Sequence, residues 1–459
     1  MLRVFLPDSC GSESRYAIKI ILDDFLGIEY DVKTHSEHTI YMEAEGVRIE
    51  LPSTFFSLAD KNWLRPESLP VQPLKCWDSR ELGLELNLTD PLVPVIYGLP
   101  SCNIEKRYIW LGLDIFGSVF FMLSRYEEAV KNDRDEHHRF PAKASLAYQE
   151  GFLDRPIINE YMEILWSCMK RLWPGLERKS REFRTLVSAD VDFPYGYGTK
   201  NFKLLLRQVG GDIINRRNPM LAMNNMLNYQ KVKQGDYSSD SLLGNFEWMM
   251  DVNDAAGNRV AFYFITDHTD QERDGYYSIH EPIIRALIRT IHKRGHEIGL
   301  HASYNSAGNE QQLCKEADIL RKVMHEEGVR QENIGVRQHF LRWETPATAQ
   351  SMETAGLTYD TTLAFADYAG FRCGTCYEYP FYDVVKRQEL NLRERPLIVM
   401  EKSVFDNGYM GKSASKYGEA VFENLKLQCR KFSGDFSVLW HNNLFPNERY
   451  REIYLKVIQ

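Results

Sequence analysis

Acidic side chains follow one strand-like run of the sequence at positions where they could bind a cation or move protons. The apolar run Thr185–Ala189 is followed directly by Asp190-Val191-Asp192. Two carboxylates this close can share one site, where one binds a metal ion and the other stays free as a base. An Asp-x-Asp pair after a strand is equally typical of a loop or a helix cap, so the pair alone leaves both readings open.

Three further strand-like runs end in imidazole or guanidinium groups, namely His301, Arg337 with His339, and His441. An imidazole is a good ligand for zinc and similar cations, and its pKa near neutrality also suits a general acid. Arg337 could pair with Asp190 and hold its orientation. Each group alone is ordinary in a loop. Their recurrence at successive strand ends indicates one shared site.

The elements that must position these groups alternate between strands and helices. Apolar strand-like runs are predicted at Thr185–Ala189, Val260–Thr266, Glu297–Leu300, Ile334–Arg337, Leu397–Met400 and Phe436–Trp440. Helices are predicted between several of them, at Glu281–Arg294 with a Ser278/Glu281 capping box, at Gln311–Glu327, and from an N-cap at Thr345 to Gly356. Such alternation predicts parallel βαβ units, in a doubly wound sheet or a barrel, with the chemistry at the carboxyl ends of the strands.

The first part of the chain has a different pattern. Short β-like runs, a proline-rich stretch and amphipathic helices over Leu113–Tyr126 and Ile157–Leu172 precede a polar seam near residue 180. We therefore expect an N-terminal α+β accessory domain over 1–180, of unknown role, and a catalytic domain over 181–459.

The residues at the strand ends, in this order, resemble the motifs of the polysaccharide deacetylase family (carbohydrate esterase family four). The matching segments are Asp190-Val191-Asp192, Gly295-His296-Glu297-Ile298-Gly299-Leu300-His301, Arg337, Tyr359-Asp360-Thr361-Thr362 and Leu439-Trp440-His441. The resemblance covers roughly 184–459. It implies an α/β fold of the distorted (β/α)7-barrel type and metal-assisted removal of an acetyl group from a sugar.

The resemblance also implies a role for each matched residue. Asp190 would be the base that activates the attacking water, and Arg337 would orient it. Asp192 and His301 would bind the metal ion, for which zinc is the expected identity, and His441 would protonate the leaving group. We expect Phe340, with a backbone N–H near the oxyanion, and Tyr304 to contact the substrate.

Two positions depart from the family pattern. Asn305 stands where the second motif normally has another metal-binding histidine, and an amide oxygen is a poor ligand for zinc. His339 stands where the third motif normally has a proline. We hypothesise that His339 replaces the missing imidazole and completes an Asp–His–His site; the alternative is a metal site that has decayed. The long segment between Asp192 and His301 predicts a helical insertion near residues 201–243.

The composition limits the partners of the protein. The 459 residues carry 56 Lys and Arg against 64 Asp and Glu, a net charge of −8, so nucleic acid is an unexpected partner. No apolar window is long enough for a transmembrane helix, and the first residues lack a signal-peptide pattern. We therefore expect a cytoplasmic protein without a membrane span. The sequence leaves its oligomeric state open.

The function expected from these features is hydrolysis of an N-acetyl or O-acetyl group on a sugar or polysaccharide intermediate, in polysaccharide biosynthesis. Two alternatives remain at this point. One is a catalytically inactive, carbohydrate-binding homologue that has lost the metal ion. The other is a different C–N hydrolase, such as an amidase acting on a small metabolite.

Overall fold

The computed structural model describes residues 2–196, 202–214 and 217–459. The chain forms two compact units. The first comprises Met1–Arg184 and Phe340–Ser437, and the second Thr185–His339 and Val438–Gln459. The expected domain boundary near residue 180 stays a prediction, because a compact unit need not coincide with a functional domain.

Strands and helices are interspersed along the described chain. The strands are β1 Leu2–Pro7, β2 Tyr30–His35, β3 Thr39–Ala44, β4 Val47–Pro52, β5 Lys75–Asp78, β6 Leu92–Val95, β7 Gly98–Ile104, β8 Tyr108–Leu113, β9 Arg184–Val191, β10 Val260–Phe264, β11 Glu297–Ala302, β12 Gly335–Gln338, β13 Tyr359–Asp360, β14 Tyr379–Asp383, β15 Gln388–Glu394, β16 Val399–Met400 and β17 Asp435–Leu439. The α-helices are α1 Ser12–Lys19, α2 Thr54–Asn62, α3 Ile115–Leu123, α4 Tyr126–Val130, α5 Leu146–Gln149, α6 Ile157–Leu172, α7 Phe202–Ile214, α8 Pro219–Lys233, α9 Ser241–Ala256, α10 Pro282–Lys293, α11 Glu310–Glu326, α12 Ala347–Thr354, α13 Glu401–Phe405, α14 Lys416–Lys431 and α15 Glu448–Ile458. The expectation of a mixed α/β fold is confirmed, whereas the finer expectation of a distorted (β/α)7 barrel remains a prediction.

The second unit is built on parallel strands. β10 pairs in parallel with β9 on one side and with β11 on the other, and β11 pairs in parallel with β12. Every residue of β10 and β12 is buried, as expected for parallel strands covered on both faces. Because these strands run in one direction, their carboxyl ends meet at one edge of the sheet.

The helices around this sheet follow the predicted apolar period, but two of them begin later than predicted. α10 buries Ile284, Leu287, Ile288 and Ile291 on one stripe, and its N-cap is Glu281. One bond of the predicted capping box is present, since the N–H of Ser278 donates to Oε1 of Glu281. Helical geometry starts only at Pro282, so Ser278 is not the N-cap. Similarly, α12 begins at Ala347 with Pro346 as its N-cap, so the predicted N-cap at Thr345 was wrong.

The first unit has its own sheet, with strand order β2-β1-β3-β4-β8-β7. All residues of α3 are buried, and the side chain of its N-cap Asp114 accepts hydrogen bonds from the N–H groups of Gly117 and Phe55. The predicted helix over Leu113–Tyr126 is interrupted at Arg125, whose φ of 53° ends α3. The result is two helices, α3 and α4, in place of one.

The predicted insertion corresponds to an antiparallel pair of helices, α7 and α8, in the second unit. The ring of Phe202, at the start of α7, lies 6.1 Å from that of Tyr229, near the end of α8. Asn201, where the insertion was predicted to begin, lies outside the described residues. No helix within the described residues is both long enough and apolar enough to cross a bilayer.

Candidate metal centre

The second unit brings the predicted polar residues together at the carboxyl edge of its sheet. They lie on or just after four strands: Asp190 and Asp192 at β9, His301 at β11, Arg337 and His339 at β12, and His441 after β17. All six side chains are buried. The parallel direction of the strands explains why residues so far apart in the chain meet here.

Asp192, His301 and His339 form the centre of this cluster. Nε2 of His301 lies 3.3 Å from Oδ1 of Asp192, and Nε2 of His339 lies 3.6 Å from the same oxygen. One ligand atom from each of the three residues lies within 4.8 Å of the others. Ligands about 2.0–2.1 Å from one tetrahedral zinc ion are roughly 3.3 Å apart, so these separations suit a small divalent cation.

Hydrogen bonds orient both imidazoles so that Nε2 faces Asp192. Nδ1 of His301 lies 2.9 Å from the carbonyl oxygen of Arg337, and Nδ1 of His339 lies 2.8 Å from Oδ1 of Asp274. An N–H at Nδ1 that donates to these oxygens leaves the lone pair of Nε2 available for a metal ion. The donor set therefore fits a divalent cation in chemistry and in orientation.

Asn305 does not belong to the cluster. Its side chain is exposed, and its Nδ2 donates to the carbonyl oxygen of Thr269 at 2.9 Å. The motif that this segment resembles carries a histidine at this position, whereas here the side chain bonds to the loop at Thr269. The three-donor cluster contains His339 instead, as the hypothesis of compensation requires.

The ionisable groups of the cluster shift one another's pKa values. Burial by itself would raise the pKa of Asp192, but the imidazoles of His339, His301 and His441 outweigh it and hold this pKa well below its usual range. Burial lowers the pKa of His339, against the opposing effect of Asp192 and Asp274. Burial would also lower the pKa of His301, yet Asp190 and Asp192 raise it. Binding of a cation requires Asp192 in its ionised form and both imidazoles in their neutral form.

Asp190 lies beside this donor set and is held by Arg337. Nη1 of Arg337 lies 3.4 Å from Oδ1 of Asp190, and Nη2 donates to Oγ of Ser188 at 2.9 Å. The guanidinium also lies 5.0 Å from the centre of the Tyr263 ring. The other oxygen of Asp190, Oδ2, lies 3.6 Å from Nε2 of His301. The carboxylate is therefore fixed next to the place a cation would occupy.

His441, which follows β17 by two residues, also lies beside the cluster. Its Nε2 lies 3.6 Å from Oδ2 of Asp192. The N–H of the neighbouring Trp440 donates to the carbonyl oxygen of Ser188 at 2.9 Å, which fixes this segment beside β9. His441 thus faces the oxygen of Asp192 that is not shared with His301 and His339.

The two predicted substrate-binding residues lie in different units. Tyr304 is buried in the second unit, where its N–H donates to Oδ1 of Asp274 at 2.7 Å. Phe340 belongs to the first unit, where its φ is 60° and its carbonyl oxygen accepts a hydrogen bond from Arg139 at 3.0 Å. Their contact with a substrate remains a prediction.

Sequence reasoning missed Asp274, the carboxylate behind His339. Asp274 is fully buried, and its Oδ2 accepts hydrogen bonds from the N–H groups of Thr269 and Asp270. It lies in the loop between β10 and α10, where no apolar periodicity marks it. The available signal was the run of acidic residues Asp267, Asp270, Glu272 and Asp274, in a loop that follows a buried strand.

Comparison with known proteins gives limited similarity. Residues 2–174 match a family of unknown function, DUF7033. No curated protein matches the chain. Among solved structures, the chain is similar to a protein from Mycobacterium smegmatis assigned as a polysaccharide deacetylase, with 15% identity, a TM-score of 0.38, and coverage of 61% of this chain and 85% of that one. It is also similar to PuuE allantoinase, with 13% identity, a TM-score of 0.35, and coverage of 62% and 85%. These similarities do not decide the chemistry of the site.

Proposed function

We propose that this protein is a metal-dependent hydrolase that removes an acetyl group from an N-acetylated or O-acetylated sugar, with its site on a deacetylase-like barrel. The observation that carries the proposal is the buried Asp192–His301–His339 donor set with Asp190 at its edge. Three donors on rigid strand ends, with an adjacent carboxylate, match what hydrolysis of an acyl group needs.

In this proposal Asp192, His301 and His339 hold a divalent cation, with zinc as the expected identity. Such a cation acts as a Lewis acid that polarises the acyl carbonyl and lowers the pKa of water. A divalent cation held by one ionised carboxylate and two neutral imidazoles would keep a net positive charge. That charge would stabilise the negative charge that develops on the acyl oxygen.

Asp190 is the proposed general base. Its Oδ1 faces Arg337, whereas its Oδ2 points toward the donor set, 3.6 Å from Nε2 of His301. Oδ2 can therefore take a proton from an attacking water while the guanidinium holds the rest of the group in place. Arg337 is a positioning residue in this scheme, because it acts through Asp190.

His441 is the proposed general acid. It faces the opposite oxygen of Asp192 from the one shared by His301 and His339. A proton on Nε2 of His441 can pass to the departing nitrogen or oxygen of the sugar, which completes the hydrolysis.

The presence of His339 favours an active enzyme over the inactive carbohydrate-binding alternative. A decayed site would keep Asp192 and His301 but would not need a third imidazole with a buried carboxylate behind it. The geometry of Asp274 and His339 matches the carboxylate–histidine pairs that support metal ligands in enzymes.

The test is acetate release from a panel of N-acetylated and O-acetylated sugars by the full chain loaded with zinc. We expect release by the wild-type chain, and loss of turnover with retained metal in Asp190→Asn and His441→Gln. Hydrolysis of simple amides without acetate release from any sugar would assign a different C–N hydrolase. A zinc-loaded chain that releases no acetate from any sugar, or acetate release that Asp190→Asn does not lower, would contradict the proposal.

A further inference from the structure

The helical pair α7 and α8 presents large apolar side chains to solvent. Half of the large apolar side chains that are exposed in the described chain lie on these two helices. On α7, Phe202, Leu206 and Ile213 are more than half exposed and recur at intervals of four and seven residues. This spacing places the three side chains on one stripe of the helix.

The second helix carries a matching stripe. On α8, Met220, Met223 and Leu227 are also at least half exposed, at intervals of three and four residues. The two helices pack side by side, with Nδ2 of Asn225 donating to Oδ2 of Asp212 at 2.7 Å. This many exposed apolar side chains on two neighbouring helices are uncommon in a folded protein, and such clusters mark interaction sites.

The charges on the two helices are opposite in sign to the chain as a whole. Five basic residues of the pair and its connection are exposed: Lys203, Arg207, Arg217, Lys231 and Lys233. The acidic residue of the two helices, Asp212, is buried against Asn225. The pair is thus strongly basic in a protein whose net charge is −8. A partner for this surface must accept both apolar side chains and positive charge.

We propose that α7 and α8 dock on the surface of a membrane rich in anionic phospholipid, lying in the interface without crossing it. The apolar stripes would enter the boundary between headgroups and acyl chains, and the basic side chains would contact lipid phosphates. This inference is independent of the chemistry proposed for the metal centre.

The charges argue against a second copy of this chain as the partner. A symmetric contact between two copies through this surface places five basic groups against the same five on the other copy. Such like-charge contacts are unfavourable, whereas an anionic lipid surface attracts all five together. Methionine at two of the three positions on the α8 stripe also suits a surface without fixed shape, because its side chain adapts to its surroundings.

The experiment is flotation of the full chain with vesicles of phosphatidylcholine alone and of phosphatidylcholine with phosphatidylglycerol. We expect binding to the anionic vesicles, weakened by high salt, and little binding to the neutral ones. The variant K203Q/R207Q should bind roughly 30-fold more weakly, because each basic group near an anionic surface contributes about a fivefold effect. The variant L206Q/M223Q should also lose binding.

A matched control replaces an apolar side chain that is exposed elsewhere, Val71→Gln in the first unit. It should bind vesicles as the wild type does. All variants change exposed side chains, so each should unfold at the same thermal midpoint as the wild type. If the apolar double variant unfolds at a lower temperature, Met220→Gln takes its place. The proposal would be overturned by equal binding to both vesicle types, or by binding that the α7 and α8 variants do not change. It would also be overturned if the chain did not bind vesicles and instead formed a dimer that these variants dissociate.

Discussion

Nδ1 of His339 lies 2.8 Å from Oδ1 of the fully buried Asp274, so a carboxylate fixes the ring whose Nε2 faces Asp192. Asp274 is itself held by hydrogen bonds from the N–H groups of Thr269, Asp270 and Tyr304. This arrangement turns His339 from a loop histidine into an oriented donor. It supports the proposal that His339 takes the place of a histidine at position 305.

Asp274→Asn should weaken zinc binding by about 10–100-fold, because the amide no longer fixes and polarises the imidazole of His339. Competition with a chromophoric chelator measures this affinity. Asp267→Asn is the matched control, since the Asp267 carboxylate bonds to Lys315 and Gln312 and not to His339. An Asp274→Asn chain that binds zinc as tightly as the wild type would show that the carboxylate does not support the site.

Arg337→Met should lower kcat by about 100-fold while leaving bound zinc and KM nearly unchanged, because a misplaced Asp190 slows proton transfer without removing a metal ligand. Steady-state acetate release, with metal content measured on the same samples, tests this. Arg337→Lys should recover only part of the loss, since an ammonium cannot contact Asp190 and Ser188 together. Arg294→Met, which breaks surface pairs with Asp251 and Asp254, should change neither quantity. A rise in KM without loss of kcat would contradict the positioning role.

Glu316 should make the stability of the fold fall as the pH rises. Burial raises the pKa of Glu316 to about 7, although Ser303 and Gln312 donate hydrogen bonds to it. The folded state therefore binds the proton more tightly than the unfolded state, and this stabilisation is complete below about pH 4.5 and lost as the pH passes 7. The difference amounts to roughly 3 kcal/mol.

Glu316→Gln removes this titration, so the variant should lose less stability than the wild type between pH 5 and pH 8. Urea unfolding across that range measures the free energies of unfolding. Parallel pH profiles for the two proteins would show that Glu316 does not carry a raised pKa.

Glu128 in the first unit should stabilise the fold through two buried arginines. Its carboxylate accepts hydrogen bonds from Arg372 at 2.6 and 2.9 Å and from Arg125 at 2.9 Å. Burial alone would raise the pKa of Glu128, but Arg372 and Arg125 lower it to about 2. The stabilisation is present above about pH 4.5 and is lost as the pH falls toward 2.

Glu128→Gln should therefore cost about 3–5 kcal/mol at neutral pH, because the buried guanidinium of Arg372 loses its carboxylate partner and Arg125 keeps only Glu127. Chemical denaturation measures the cost. The control Glu326→Gln, which breaks an exposed pair with Arg285, should change the free energy of unfolding by less than about 1 kcal/mol. Similar effects of the two substitutions would contradict the structural role of Glu128.

Local sequence patterns predicted the elements of the second unit well. The apolar stripe of α10 and the buried runs of β10 and β11 follow directly from side-chain period, which depends only on neighbouring residues. The starts of α10 and α12 were less predictable, because several residues near each start are suited to the N-cap. In the structure Glu281 is the N-cap of α10, and Pro346 is the N-cap of α12.

Contacts between distant segments were beyond the reach of these patterns. Residues 340–437 pack with residues 1–184 in the first unit, and no local signal indicates that grouping. Asp274 was missed for the same reason, since its role depends on a bond to His339, 65 positions away. The sequence shows the departure at Asn305, but the hydrogen bond of its side chain to Thr269 depends on the fold.

The central claim is that Asp192, His301 and His339 bind one divalent cation. The most direct test is the number of zinc ions per chain after reconstitution and dialysis, measured by mass spectrometry on the wild type, His339→Ala and Asn305→Ala. We predict one zinc ion per chain in the wild type and in Asn305→Ala, and almost none in His339→Ala. Undiminished zinc in His339→Ala, or a wild-type chain that binds no zinc, would contradict the claim.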